Sequence, residues 1–136
     1  MNVSNWFFRL AVIAGLVGMS WGVYMGATHD HVTSPAHAHL ILLGWVSMAI
    51  FAFFYRAFPQ AASSFLAKVH LAVAVIGLLI FIPSLALLLA GVKPYMALAQ
   101  QGLIVGPLLT WLSMLIFAIV ALMTLGKREA LPAAAE

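Results

Sequence analysis

The chain has no cysteine among its 136 residues. Disulfides, thiolate metal sites and thiol redox chemistry are therefore excluded, and cysteine usage says nothing about compartment. Charge is nearly as scarce, at 7% of residues, where an ordinary soluble domain carries roughly 25%. The net charge of +3 is not a nucleic-acid signature, because the cations are scattered and mostly sit at the ends of apolar runs. No internal repeat and no separate soluble domain is visible, and the length suits one domain.

What is abundant is apolar surface, at 65% of positions. No water-soluble fold of this length hides that much, so the chain reads as an all-α integral membrane protein. A hydrocarbon core of about 30 Å needs roughly 20 apolar residues in helical form. Four stretches qualify: Trp6–Ala27, Ala36–Phe58, Phe65–Ala90 and Tyr95–Leu125. They are separated by "THDHVTSP", "PQAASS" and "GVKP", all rich in turn formers. The sequence thus predicts a four-helix transmembrane bundle over residues 1–126, followed by a short, polar, disordered tail over 127–136.

The first span is too long for a cleaved signal peptide and its exit lacks a small-x-small site. If the spans alternate, Arg9, Arg56, Lys68, Lys127 and Arg128 share one side and Lys93 alone takes the other. That bias puts both termini in the cytoplasm. The expected location is a bacterial inner (plasma) membrane, with the first loop on the periplasmic side. Trp21, Trp45, Tyr24, Tyr55 and Tyr95 lie towards span ends and read as interfacial anchors. Gly22-x-x-x-Gly26 reads as a small-residue packing motif that suits helix contact and a homo-oligomer. Pro83 and Pro107 predict kinks, with Ser84 and Thr110 available to the freed carbonyls.

Four of the five histidines gather in "THDHVTSPAHAHLILLGW" (Thr28–Trp45): His29, His31, His37 and His39. Imidazole binds iron, copper and zinc well and titrates near neutrality. Ser34 reads as an N-cap with Pro35 at the first helical position. His37 and His39 then occupy the first turns of the second span, about 200° apart around the helix. His37 shares its side with Gly44, Met48, Phe51 and Tyr55. His39 shares its side with Leu43, Val46, Ile50 and Phe53. A polar residue inside a span is costly and usually functional. A haem suits the His39 side, with iron on the imidazole and the macrocycle against Leu43 and Val46. His70, beside Lys68, reads as a plain polar anchor.

The stretch "AHLILLGWVSMAIFAFFYRAFP" (Ala38–Pro59) resembles the second helix of subunit I in the heme-copper oxidase superfamily, most of all the large subunit of nitric oxide reductase. The chain as a whole resembles short four-span proteins classed with that subunit, in which "HDH" and "HAHL...GW" recur together. The resemblance implies that His39 is an axial ligand of haem b. It also implies electron transfer, or sensing of a diatomic gas such as nitric oxide, carbon monoxide or oxygen. The detailed likeness covers residues 20–59. "HAH" is also similar to the histidine-x-histidine of a later helix in that subunit, which leaves the role of His37 open. The remaining machinery of that subunit, including the helix with the second axial ligand, is missing here. Complete oxidase or reductase activity is therefore not expected of this chain alone.

For the sixth position on iron the sequence offers Met25, His29, His31, a histidine of a second protomer, or Met96, Gln100 and Gln101. His70 should lie roughly 20 Å deeper. The expected partners are the lipid bilayer, a second copy, and a quinol or periplasmic electron carrier. Two alternatives stand beside haem. His29, Asp30, His31, His37 and His39 offer enough donors for copper or zinc. The chain also reads as a metal-free assembly module.

Overall fold

The computed structural model describes residues 2–129, which are helical apart from short connections and form no strand. Helix α1 spans Val3–Thr28 and opens on Asn2, whose side chain accepts the Asn5 amide at 3.2 Å. This satisfies one of the amides that the first helical turn leaves without a partner. It ends at His29, which takes the left-handed conformation (φ 56°) that closes many helices. Asp30 then folds the connection locally, its carboxylate accepting the Val32 amide at 3.0 Å.

Helix α2 spans Ser34–Ala57. It starts one residue earlier than the Ser34 cap reading expects: Thr33 is the cap residue and Ser34 is already helical. Pro35 sits in the first turn, where its missing N–H has no helical partner to lose. From Leu40 to Ser47 the helix widens to π geometry, then returns to α geometry at Met48. The Ser47 hydroxyl donates to the Leu42 carbonyl, five residues back, at 2.9 Å within that segment. Helix α3 (Phe65–Leu89) is capped by Ser64, whose hydroxyl accepts the Ala67 amide at 3.1 Å. A tight turn with Gly91 at φ 65° leads through Lys93–Tyr95 into α4, Met96–Glu129. Helix α4 continues past the predicted end of the fourth span through Glu129, and the rest of the expected polar tail lies outside the described residues.

All four helices are long and apolar enough to cross a membrane. Leu16, Val23, Phe53, Leu79, Ile104 and Leu122 stand exposed on their outer faces, as lipid contact would require. The bundle is built from two close hairpins. Between α1 and α2, Gly15 faces Trp45, Gly18 faces Ile41 and Gly22 faces His37. Nothing stands within 4 Å of a Cβ placed on Gly26, so the contact stripe is Gly15, Gly18 and Gly22 rather than the predicted Gly22 and Gly26. Between α3 and α4 the backbones approach more closely still: a Cβ on Gly106 would stand 2.6 Å from Phe81 Cα. Small residues allow such approach where lipid provides no hydrophobic drive between helices.

Pro83 and Pro107 are accommodated inside continuous helices. The Thr110 hydroxyl donates to the Gly106 carbonyl at 3.0 Å, not to the Leu103 carbonyl that Pro107 leaves without its helical donor. The two hairpins are joined near the start of α1 by aromatic rings. Phe7, Phe51, Tyr55 and Phe117 pack around His70 there, drawing on all four helices. A smaller core of Ala14, Leu40 and Ile82 lies towards the opposite end.

Candidate functional site

The histidine segment occupies the end of the bundle where α1 meets α2. His37 and His39 leave α2 in different directions, as their spacing predicts. His37 is half-buried and turns onto α1, where a Cβ on Gly22 would stand 3.0 Å from His37 Cε1. Gly22 thus provides the seat for this imidazole. The Trp21 ring meets it edge-on at 6.4 Å between centroids. The four residues expected on its side, Gly44, Met48, Phe51 and Tyr55, are all buried. His37 Nδ1 is buried with no hydrogen-bond partner.

His39 is exposed on the outer surface. Its Nδ1 lies 2.7 Å from the Pro35 carbonyl oxygen, one turn back. A carbonyl only accepts, so Nδ1 must carry the proton and donate it. That leaves the lone pair on Nε2, and it fixes the ring's direction through a second partner. Metal-binding histidines are usually held in the same way. The Phe81 ring of α3 braces the imidazole edge-on, at 5.1 Å. Below it, Leu42, Val46, Ile50 and Phe53 are exposed and continue the apolar face. The sequence reading placed Leu43 there. Leu42, within the π-helical segment, stands exposed there instead, while Leu43 lines a cavity of about 250 Å³ between α2, α3 and α4.

The other candidate ligands are placed separately. Met25 is buried, and its sulfur accepts the Thr33 hydroxyl at 3.8 Å. Thr33 in turn accepts Trp21 Nε1–H at 3.2 Å, so Met25 belongs to the contact between α1 and the first loop. His29 is exposed at the end of α1 and His31 is exposed in the loop. Among the described residues, no group of three or more His, Cys, Asp and Glu side chains stands close enough to hold a metal ion. The five donors from His29 to His39 are therefore not gathered into one coordination sphere.

A second polar feature lies at the other end of the bundle, and the sequence reading missed it. His70 is fully buried, not an interfacial anchor, and Tyr55 is buried to 1% exposure in the same cluster. Tyr55 Oη and His70 Nδ1 are 3.0 Å apart, and the opposite ring nitrogen, Nε2, has no partner. Tyr55 also lines a cleft of about 670 Å³ at that end, together with Asn2, Ser4, Asn5, Arg56 and Ser63. A long-range bond from the Ser4 hydroxyl to the Ala52 carbonyl, 2.9 Å, ties α1 to α2 beside it.

Comparison with family models, with curated proteins and with solved structures gave no match.

Proposed function

We propose that the chain is a membrane haem b-binding protein that carries electrons or senses a diatomic gas, with His39 as the principal iron ligand. The observation that carries this reading is the hydrogen bond from His39 Nδ1 to the Pro35 carbonyl at 2.7 Å. It directs a free Nε2 lone pair outward from a helix face that continues as Leu42, Val46 and Ile50. The donor set fits a haem better than a bare ion, because one oriented imidazole and a broad apolar wall are what a porphyrin needs. The copper or zinc alternative needs the loop histidines to converge, and no observation favours it. A bound haem would supply reversible one-electron chemistry or an open position for a gas.

The residues of this chain hold and orient rather than react. Pro35 fixes the tautomer of His39, and Phe81 limits the swing of its ring. His37, seated on Gly22, has a different role in α1–α2 packing. Met25 is engaged by Thr33, and a second copy related by two-fold symmetry would supply a further iron ligand. In this reading the excess of Arg9, Arg56 and Lys68 over Lys93 sets both termini in the cytoplasm of a bacterium. The histidine end then faces the periplasm, where a soluble electron carrier or a quinol would meet it.

The test is a haem assay on protein purified in mild detergent from haem-replete cells. A Soret band with a b-type spectrum, at a haem to protein ratio near one or one half, is expected. Carbon monoxide added to the reduced protein then separates the two roles: an unchanged spectrum marks the electron carrier and a shifted Soret band marks the sensor. Purified protein without a Soret band overturns the reading.

A further inference from the structure

We propose that the cavity of about 250 Å³ between α2, α3 and α4 is a binding site for a small, neutral ring compound with one acceptor oxygen, Ser113 being its hydrogen-bond donor. The site rests on different residues from the His39 face and stands apart from haem binding.

The cavity lies deep in the bundle. Ser47, Leu78 and Thr110, one from each wall, sit near the middle of their spans. The wall is mostly apolar, through Leu43, Met48, Phe51, Leu78 and Met114, and no charged residue lines it. An ion would be uncompensated there, so the occupant must be neutral. Two of the three hydroxyls in the wall are committed to the backbone. Ser47 donates to the Leu42 carbonyl at 2.9 Å and Thr110 to the Gly106 carbonyl at 3.0 Å.

Ser113 departs from this pattern. It is only 3% exposed, yet its hydroxyl makes no hydrogen bond among the described residues. Nor is that oxygen sealed in. Among the described residues, the unpartnered side-chain polar atoms shut off from any open space are His37 Nδ1 and His70 Nε2 alone. The Ser113 oxygen therefore meets open space, and the space against this buried residue is the cavity. A donor without a partner at this depth costs free energy, and an acceptor on a ligand removes that cost.

Volume sets the size of the occupant. An engineered apolar cavity of about 150 Å³ holds benzene. The larger space here suits a single ring with one or two small substituents. Water is a poor filling, because several molecules would each seek about three hydrogen bonds from a largely apolar wall. Met48 and Met114 are unbranched and polarisable, which lets the wall adapt to a ring. Met114 belongs both to this wall and to the exposed surface, so the route in from lipid is short. Leu43 and Ser47 come from the π segment, and local π turns recur at functional sites.

The test uses para-fluorophenol and para-fluorotoluene, which match in size and differ in the acceptor oxygen. Each is titrated into the full-length protein in detergent and followed by fluorine nuclear magnetic resonance, with detergent alone as the blank. Both should give a saturable bound signal. Ser113→Ala should weaken para-fluorophenol about two- to tenfold and leave para-fluorotoluene unchanged. Ala74→Leu fills the cavity from α3 and should abolish both signals; if it does not fold, Ser113→Ala decides alone. No saturable signal, as with a cavity held by a lipid or detergent chain, would overturn the proposal. So would equal para-fluorophenol binding by the parent and Ser113→Ala, or binding that survives Ala74→Leu.

Discussion

Gly22 and His37 are matched across the α1–α2 contact: the imidazole occupies the space that any side chain at position 22 would need, with Cε1 3.0 Å from where a Cβ would lie. The pairing explains why His37, unlike His39, is turned away from the outer surface.

That relationship predicts a size-dependent effect. Gly22→Ala presses on the ring and should be mildly destabilising, whereas Gly22→Leu should separate α1 from α2 at this end. A cost of about 1–3 kcal/mol is expected for the larger residue, in line with overpacked cores. Thermal unfolding in detergent measures it. His37→Ala combined with Gly22→Leu should recover part of the loss, and no recovery would mean that the two residues are not in contact.

Gly106 gives a harsher version at the α3–α4 contact, because the obstruction is backbone rather than a ring. With a Cβ 2.6 Å from Phe81 Cα, even Gly106→Ala must push the helices apart. It should destabilise more than Gly26→Ala, where nothing stands within 4 Å. Equal unfolding temperatures for the two alanine variants would contradict the close approach.

Tyr55 and His70 predict a coupled pair in a stability cycle. Tyr55→Phe leaves His70 without its hydrogen bond, and His70→Phe leaves the Tyr55 hydroxyl buried without one. Hydrogen bonds within membrane bundles average about 0.6 kcal/mol and reach roughly 1.7 kcal/mol. Each single variant should lose an amount of that order. The double Phe variant should lose less than their sum, since both polar groups are then gone. Strict additivity would show that the pair does not interact.

Topology is open to a direct check, since the chain has no native cysteine. Thr33→Cys lies at the histidine end and Ala62→Cys at the other, in the short helical connection Pro59–Ala62 between α2 and α3. A membrane-impermeant maleimide added to intact cells should label the first and spare the second. The reverse pattern would invert the proposed orientation.

The four helices and the opposite directions of His37 and His39 were legible from span length and helical spacing. The same spacing puts Tyr55 on the side of His37 with Gly44, Met48 and Phe51, which the structure buries, yet its hydroxyl and its place near a span end suggest an interfacial anchor. Only the partner on another helix, His70, shows why a phenol goes inside. His70 itself was hidden because α3 is apolar all round, so no pattern marks its inward face, and the nearby Lys68 pointed to an interface. The π segment from Leu40 to Ser47 was equally invisible. Its residues, LILLGWVS, are ordinary in a membrane helix, so no pattern marks it. Gly26 shows the limit of a motif: the spacing suits packing, but it lies beyond the point where the helices touch.

If His39 holds a haem iron and His37 does not, haem content in matched alanine variants separates the two histidines. His39→Ala should be purified with its haem lost, while His37→Ala should retain haem with a perturbed spectrum. Full haem content in His39→Ala, or loss confined to His37→Ala, would contradict the assignment.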